Sequence, residues 1–103
     1  MRIFTLGTIR QACSDYPNAA SSLRAWHSAM QHNAFAGFAD LRQHFAGKVD
    51  KVDHCYIFNI NGNHLRLIAK IVFDRRFVFI KKILTHANYD KEPWYDHCRC
   101  TEP

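Results

Sequence analysis

One segment constrains the fold more than any other. Residues 54–73, HCYIFNINGNHLRLIAKIVF, alternate in polarity and break once, at Asn61-Gly62. Val, Ile, Phe and Tyr favour strands, and Asn-Gly is the typical two-residue loop of a type I′ hairpin. The segment therefore predicts an antiparallel hairpin. The expected cross-strand pairs are Ile60 with Asn63, Phe58 with Leu65, and Tyr56 with Leu67.

The period of two along a strand assigns these side chains to two faces of the sheet. The apolar face continues through Ala69, Ile71 and Phe73, and we expect it to be buried. The opposite face presents a mixed set from a stiff sheet: Asn59, His64, Arg66, Ile68 and Lys70.

The rest of the chain completes an α+β architecture. A turn around residues 74–76 leads into FVFIKKILTH, a further long antiparallel strand, and residues 2–4 predict a short first strand. Helical periodicity indicates helices over residues 9–16 and 19–31, and a shorter one through Phe38, Leu41 and Phe45 that Gly47 terminates. We expect N-terminal helices packed on one face of an antiparallel β-sheet.

Length and composition favour one globular unit. With 103 residues, 48% of them apolar, the chain predicts a single domain over 1–103. No apolar run approaches the roughly 18 residues that span a membrane, and MRIFTLGTIRQA lacks the features of a secretory signal. We therefore expect a cytoplasmic protein with no membrane partner.

The charge balance indicates a polyanionic partner. Fourteen Lys and Arg against nine Asp and Glu give a formal charge of +5 and a pI near 9.2. Nucleic acid is the leading partner class, and a basic surface without a specific partner is the alternative.

The four cysteines are best interpreted as reduced thiols, since nothing in the sequence indicates a secretory context. His97, Cys98 and Cys100 have the chemistry of zinc ligands, but no second element completes a tetrahedral site. We expect no metal and no cofactor.

At this point the sequence resembles a known family. YIFNINGNHLRLIAKIVF followed by FVFIKKILTHANYDK is similar to the HigB toxins of the RelE-like superfamily: an Asn-Gly hairpin, an arginine-bearing strand, and a basic strand ending in T-H-x-x-Y-D. The resemblance is dense from about residue 35 to residue 91 and includes the FADLRQHF helix. The ending PWYDHCRCTEP departs from the helical or basic extension of many family members, so the tail from about residue 92 is either a flexible end or a contact surface.

The resemblance implies a RelE-like fold and a toxin of a type II toxin-antitoxin system. Its activity would be metal-independent, ribosome-dependent endoribonuclease cleavage of mRNA, which inhibits translation. The implied partners are mRNA on the ribosome and a HigA-type helix-turn-helix antitoxin, which would connect the toxin to operator DNA only indirectly.

The same resemblance suggests the catalytic residues. Metal-free RNA cleavage removes the proton of the 2′-hydroxyl, stabilises a charged transition state and protonates the leaving 5′-oxygen. Arg66 stands at the family's arginine position and suits a phosphate clamp, and His86 of the T-H-x-x-Y-D motif suits proton transfer. Tyr89 is better suited to stacking, because an unperturbed tyrosine pKa of about 10 makes a poor base. A solvated arginine, a structural histidine and a rim tyrosine are the alternatives.

Lys81 matches a basic position of the family and completes the predicted catalytic set. Strand parity puts Lys81 and Lys82 on opposite faces unless a bulge intervenes, and we favour Lys81. Thr85 and Asp90 are predicted to hold the turn after the strand. The residues predicted to bind RNA without catalysing are His64, Lys70, Arg75, Arg76 and Lys82.

Three other functions remain open at this stage. The chain could be an RNA-binding module without catalysis, or a decayed toxin that acts only as an antitoxin partner. The third is a metal-binding regulatory domain built on Cys98 and Cys100.

Overall fold

The computed structural model of the protein describes residues 1–4, 6–62 and 64–91, and for residues 90 and 91 only the backbone. Two long strands are joined through the Asn-Gly turn, and helices precede them, as the sequence patterns predict. In chain order the elements are β1 (Arg2–Phe4), α1 (Leu6–Asp15), a 3-10 turn (Pro17–Ala19), α2 (Ala20–His32), α3 (Phe38–His44), β2 (Val49–Val52), β3 (Cys55–Ile60), β4 (Leu65–Val72), β5 (Phe77–Thr85) and α4 (His86–Lys91).

Within the described ranges these strands form one sheet in the order β1-β5-β4-β3-β2. Strands β2 to β5 are antiparallel to their neighbours, which confirms the predicted α+β fold, whereas β1 runs parallel to β5. The sequence indicated the short strand β1 but not the direction in which it pairs. The helices between β1 and the other strands return the chain so that β1 joins β5 in the same direction.

The Asn-Gly hairpin is present with a different register. Asn61 and Gly62 both have positive φ, as a type I′ turn requires. Ile60 pairs with Leu65 and Phe58 with Leu67, two residues later than predicted, so four residues (61–64) connect the strands and the predicted two-residue loop is wrong. Because a shift of two preserves parity, every side chain still lies on its predicted face. Asn63 itself lies outside the described residues.

The three predicted helices are observed with shifted ends. The 3-10 turn after Pro17 precedes α2, and α3 ends before Gly47, whose φ of +77° suits a residue without a Cβ. The buried side of α2 carries the predicted spacing, with Leu23, Trp26 and Met30 all inaccessible to solvent or nearly so.

These helices pack on what we call the helical face of the sheet, which carries Tyr56 and Phe58 of β3 and Leu67 and Ala69 of β4. The Trp26 ring meets Phe58 edge-on at 5.4 Å between centroids. Burying a large apolar side chain stabilises the fold by about 1.5–3 kcal/mol. This face is thus the main core, as the alternating pattern predicts.

The other side of the sheet, which we call the open face, carries Asn59 of β3 and Arg66, Ile68 and Lys70 of β4. The sequence predicts a mixed, polar surface here, but the structure shows a second apolar cluster. Cys55, Ile57, Ile68 and Leu84 are buried in it, with Val52 and Tyr89 packed alongside. The difference arises because Tyr89 of α4 packs back onto the sheet, and no strand pattern predicts that contact.

The cysteines differ from the expectation at one position. Cys13 is a free thiol, but Cys55 is disulfide-bonded, so the prediction of reduced thiols is wrong for Cys55. Cys98 and Cys100 lie outside the described residues.

In the parts of the chain that the structure describes, no helix is both long and apolar enough to cross a lipid bilayer.

Candidate active site

Arg66 occupies the centre of the open face. It pairs with Asn59 of β3 on one side and Leu84 of β5 on the other, so the register points it away from the helices, as predicted. Its side chain is nevertheless buried, at 9% exposure. A buried guanidinium is costly unless its N–H groups are hydrogen-bonded, and Nη1 donates to the carbonyl of Leu65 at 3.3 Å.

Helix α4 brings two more predicted residues to Arg66. Thr85 ends β5, and its hydroxyl oxygen accepts a hydrogen bond from the backbone N–H of Asn88 at 3.2 Å. This is the geometry of a helix N-cap, in which the cap oxygen accepts from the third helical residue. His86 and Tyr89 lie three residues apart and so share one side of α4. In the T-H-x-x-Y-D motif, Thr85 thus ends the strand and caps α4, and His86 and Tyr89 lie on the side of α4 that faces Arg66.

The Arg66 guanidinium and the His86 ring are directly hydrogen-bonded. Nη2 of Arg66 lies 3.1 Å from Nδ1 of His86. Arginine has no acceptor, so Nδ1 must accept, and this contact assigns the ring hydrogen to Nε2. His86 is exposed, so a substrate can reach the ring.

Tyr89 contacts the same guanidinium through its ring. The Arg66 Cζ lies 5.7 Å from the ring centroid, which is within cation–π range, and the ring also packs against the open-face cluster. The structure thus brings together three of the four predicted catalytic residues, Arg66, His86 and Tyr89.

The hairpin loop adds His64 to this edge. Its carbonyl accepts a hydrogen bond from the backbone N–H of His86 at 3.1 Å, and its exposed ring lies 6.0 Å from the ring of Tyr16. His64, predicted as an RNA-binding residue, therefore lies beside the site. The loop also fixes the start of α4.

Lys81 and Lys82 lie at an irregularity in β5. Lys82 pairs with Ile68 and Ile80 with Ala69, so Lys81 has no partner and forms a β-bulge. Because of the bulge, Lys82 shares the open face with Arg66 although Ile80 faces the helices. Lys81 is exposed, and bulges commonly re-aim side chains next to active sites. The bulge is the exception to strand parity that the sequence analysis allowed for these two lysines.

The remaining predicted residues are more distant. Lys70 lies on the open face, four residues along β4 from Arg66, or about 13 Å. Arg75 and Arg76 form the turn at the opposite end of β4, about 20 Å or more from the site along the strand. The structure does not bring them to Arg66, and their RNA-binding role stays a prediction.

Asn59 also lies on this face, as the strand pattern predicts, and it is a neighbour of Arg66 that was not among the predicted site residues. It is half-buried and directly opposite Arg66. The strand pattern already indicated the shared face, but only the observed register identifies the pair.

The chemistry of this cluster is cationic and hydrogen-bond donating. It offers a guanidinium fork, an imidazole N–H and nearby ammonium groups, a set that matches phosphate oxygens. Among residues 1–4, 6–62 and 64–91, no three His, Cys, Asp or Glu side chains group as metal ligands would.

Together, helices on one face of a mostly antiparallel sheet and a basic cluster at the end of its last strand define a RelE-like toxin fold. The chain belongs to the HigB toxin family, described as the RelE-like toxic component of a toxin-antitoxin system, whose profile matches residues 19–92. This confirms the family that the sequence resembles.

Curated relatives agree with this assignment. The chain is 27% identical over 92 residues to the mRNA interferase toxin HigB of Escherichia coli K12, covering 87% of this chain and 88% of the relative. It is 30% identical over 94 residues to the mRNA interferase HigB of Escherichia coli O6:H1, covering 88% and 90%. The mRNA interferase HigB of Shigella flexneri matches at 27%. These names agree with the expected class of enzyme, an endoribonuclease.

Proposed function

We propose that this protein is a toxin that cleaves mRNA, without a metal and on the translating ribosome, in the cytoplasm. The observation that carries the proposal is the hydrogen bond between Arg66 and His86 on an open, basic sheet face. Family membership and the names of the relatives support the RNA-cleaving activity. In this proposal a HigA-type helix-turn-helix antitoxin restrains the toxin and connects it to operator DNA.

The contact between Arg66 and His86 suggests how substrate binding starts the reaction. Without substrate, the guanidinium occupies the Nδ1 lone pair of His86. A phosphate between two nucleotides competes for the guanidinium, because charged bidentate hydrogen bonds are stronger than a bond to a neutral ring nitrogen. Binding of the scissile phosphate therefore releases Nδ1, which then accepts the proton of the neighbouring 2′-hydroxyl.

The 2′-oxygen then attacks phosphorus while the bond to the 5′-oxygen breaks, giving a 2′,3′-cyclic phosphate and a 5′-hydroxyl. Arg66 neutralises the charge that develops on the phosphate oxygens, a type of interaction whose loss typically costs about 100- to 1000-fold in rate. We assign protonation of the leaving 5′-oxygen to the ammonium groups at the β5 bulge, Lys81 and Lys82. Tyr89 holds the guanidinium plane by cation–π contact and presents the outer part of its ring to a base.

The test is a map of mRNA 5′ ends after brief, controlled induction. The cells express the unmodified chain, Arg66→Ala, Arg66→Lys, or Arg24→Ala as a matched control on the exposed side of α2. We expect new ends with the unmodified chain and the control, and none with either Arg66 variant. New ends that persist in a folded Arg66→Ala variant would remove Arg66 from the mechanism.

The dependence of cleavage on translation and on metal is tested separately. Purified protein is added to one mRNA, free or in a translating mixture, with and without a chelator that binds transition metals but leaves the Mg²⁺ that ribosomes require. Cleavage only during translation, and unaffected by the chelator, is expected. Equal cutting of free mRNA would contradict ribosome dependence.

A second candidate function, RNA binding without catalysis, is favoured by one observation. Arg66 is only 9% exposed and already hydrogen-bonded, which suits a structural arginine. In that case neither the unmodified chain nor Arg66→Lys would cleave RNA, and both would bind it with the same affinity. A loss of cleavage at nearly constant affinity would exclude it.

A further inference from the structure

Three phenylalanines form an aromatic surface at the β1 edge of the sheet, and neither the predicted site nor the two apolar clusters includes them. The Phe4 ring stacks on Phe79 with a centroid distance of 4.8 Å and planes 10° apart. It meets Phe77 edge-on at 5.3 Å, and Phe77 meets Phe79 at 6.2 Å. All three side chains are half-buried, so part of each ring is accessible to solvent. We call Phe4, Phe77 and Phe79 the aromatic edge.

The aromatic edge lies on the same side of the sheet as Arg66. Phe79 pairs with Lys70 of β4, and Lys70 and Arg66 share the open face. Phe4 pairs in turn with Phe79 across the parallel β1–β5 ladder. The distance from Arg66 to Lys70 is about 13 Å along the strand, so one continuous surface connects the aromatic edge to the site.

Positive charge surrounds these rings. The Arg2 guanidinium lies over the Phe4 ring, 5.1 Å from its centroid, and Lys70 is directly opposite Phe79. Lys82 follows on the same face towards Arg66. The nearest acidic side chain in these strands and their connecting turn is Asp74, in the turn beyond Phe77. Half-buried rings among cations suit a ligand that has both flat aromatic groups and negative charge.

We propose that the aromatic edge binds unpaired bases of the mRNA strand next to the nucleotide held at Arg66, with Arg2 and Lys70 contacting its phosphates. This proposal rests on the proposed function. Single-stranded RNA combines stackable bases with a charged backbone, and aromatic side chains on a sheet surface are a common way to hold it. A purely apolar protein partner would gain nothing from the cations around the rings, and a second copy of this chain, with its own net charge of +5, would be repelled by them.

The experiment measures binding of short single-stranded oligonucleotides that carry 2′-O-methyl groups throughout. They lack the nucleophilic hydroxyl, so binding is measured whether or not the protein cuts RNA. A second oligonucleotide of equal length and charge has abasic positions in place of the central bases. The variants are Phe4→Leu with Phe79→Leu, which keep apolar side chains but remove both stacked rings.

Phe38→Leu is the matched control. Phe38 is also half-buried and also lies under an arginine, with the Arg42 guanidinium 5.7 Å from its ring, but it belongs to α3 on the helical face. Phe79→Trp is a second variant that enlarges the stacking surface. It keeps the test decisive if the double leucine variant is unfolded.

We expect the double variant to bind the complete oligonucleotide about tenfold more weakly and the abasic one with unchanged affinity. Phe38→Leu should bind both like the unmodified chain, and Phe79→Trp should bind the complete one more tightly. Three results would overturn the proposal: equal weakening on both oligonucleotides, no weakening by a folded double variant, or binding of the complete oligonucleotide by Phe79→Trp that is no tighter than that of the unmodified chain. So would a dimer of the unmodified chain in sedimentation that the double variant dissociates.

The two proposals can fail independently. If the double variant binds normally while the unmodified chain cuts mRNA, the aromatic edge is wrong and the proposed function stands. If base-dependent binding is lost in the variant but no cleavage is ever found, the binding surface stands and the proposed nuclease activity fails.

Discussion

Tyr89 contacts both a buried apolar cluster and the arginine of the proposed site. Its ring packs against the buried open-face cluster and lies 5.7 Å from the Arg66 Cζ. A guanidinium over an aromatic face is stabilised by about 0.5–2 kcal/mol, depending on how well it is desolvated. The ring therefore holds Arg66, and through the hydrogen bond to His86 it also orients the imidazole.

The two roles proposed for Tyr89 predict different effects for two substitutions. Tyr89→Phe keeps the ring and removes the hydroxyl, so we expect cleavage within about threefold of the unmodified chain. Tyr89→Leu removes the ring, and we expect cleavage to fall by at least about tenfold because Arg66 is no longer held. Single-turnover cleavage rates and thermal unfolding of both variants provide the measurement. A large loss with Tyr89→Phe would instead assign proton transfer to the hydroxyl.

Tyr56 predicts a pH dependence of stability. Burial on the helical face raises the pKa of its hydroxyl above the usual 10.0. Below about pH 9 the group is protonated in both folded and unfolded chains, so it adds no pH dependence. As the pH rises past about 10, the unfolded chain loses the proton first, and the free energy of unfolding falls. Urea unfolding across this range should show the fall for the unmodified chain and a smaller one for Tyr56→Phe. Parallel curves would contradict a raised pKa.

At the scale of elements, α4 has only six residues, fewer than a helix needs to be stable alone, so it depends on its N-cap and on packing. Thr85→Val removes the oxygen that accepts from Asn88 and should cost about 1 kcal/mol, whereas Thr85→Ser keeps it. Since α4 carries His86 and Tyr89, we expect faster amide hydrogen exchange in residues 86–89 and weaker cleavage for Thr85→Val alone. If Thr85→Val cleaves normally although its amide hydrogens in α4 exchange faster, a stable α4 is not required for cleavage.

The elements also show what the sequence could predict. The faces of β3 and β4 followed correctly from the period of two, because a register shift of two leaves parity unchanged. The register itself depended on how the turn closes, and the Lys81 bulge depended on packing between β4 and β5; neither is a local pattern. Strand β2 has only four residues, too few for a clear periodic pattern, so the sequence did not indicate it. The pairing of β1 with β5 joins segments that are more than 70 residues apart, so no local pattern could indicate it.

The candidate site was predictable to a similar extent. The family motif suggested that His86 and Tyr89 share one site with Arg66, but the sequence indicated only a turn after β5 and not the helix α4 that carries both side chains. The sheet face of Arg66 followed from parity, but its burial did not, because burial requires Tyr89 to pack back onto the strand. The aromatic edge was not predicted, since Phe4 and Phe79 are separated by most of the chain.

At the scale of the whole molecule, the charge of +5 is not spread evenly over the sheet. By register, Arg2, Arg66, Lys70 and Lys82 lie on the open face, and Asp50 of β2 is the one acidic side chain that the described strands place there. A face with this excess of positive charge attracts RNA from a distance and orients it before any specific contact forms.

The position of these charges, rather than their total, should determine the salt dependence of RNA binding. Each phosphate contact on a single strand contributes roughly 0.7 to the slope of log affinity against log salt, because bound cations are released. We expect Lys70→Gln with Lys82→Gln to reduce that slope by about 1.4. Arg10→Gln with Arg24→Gln removes the same charge from the exposed sides of α1 and α2 and should leave the slope unchanged. Titrations between about 50 and 200 mM salt measure both. Equal reductions in the two double variants would mean that net charge alone attracts RNA and that the open face is not its binding surface.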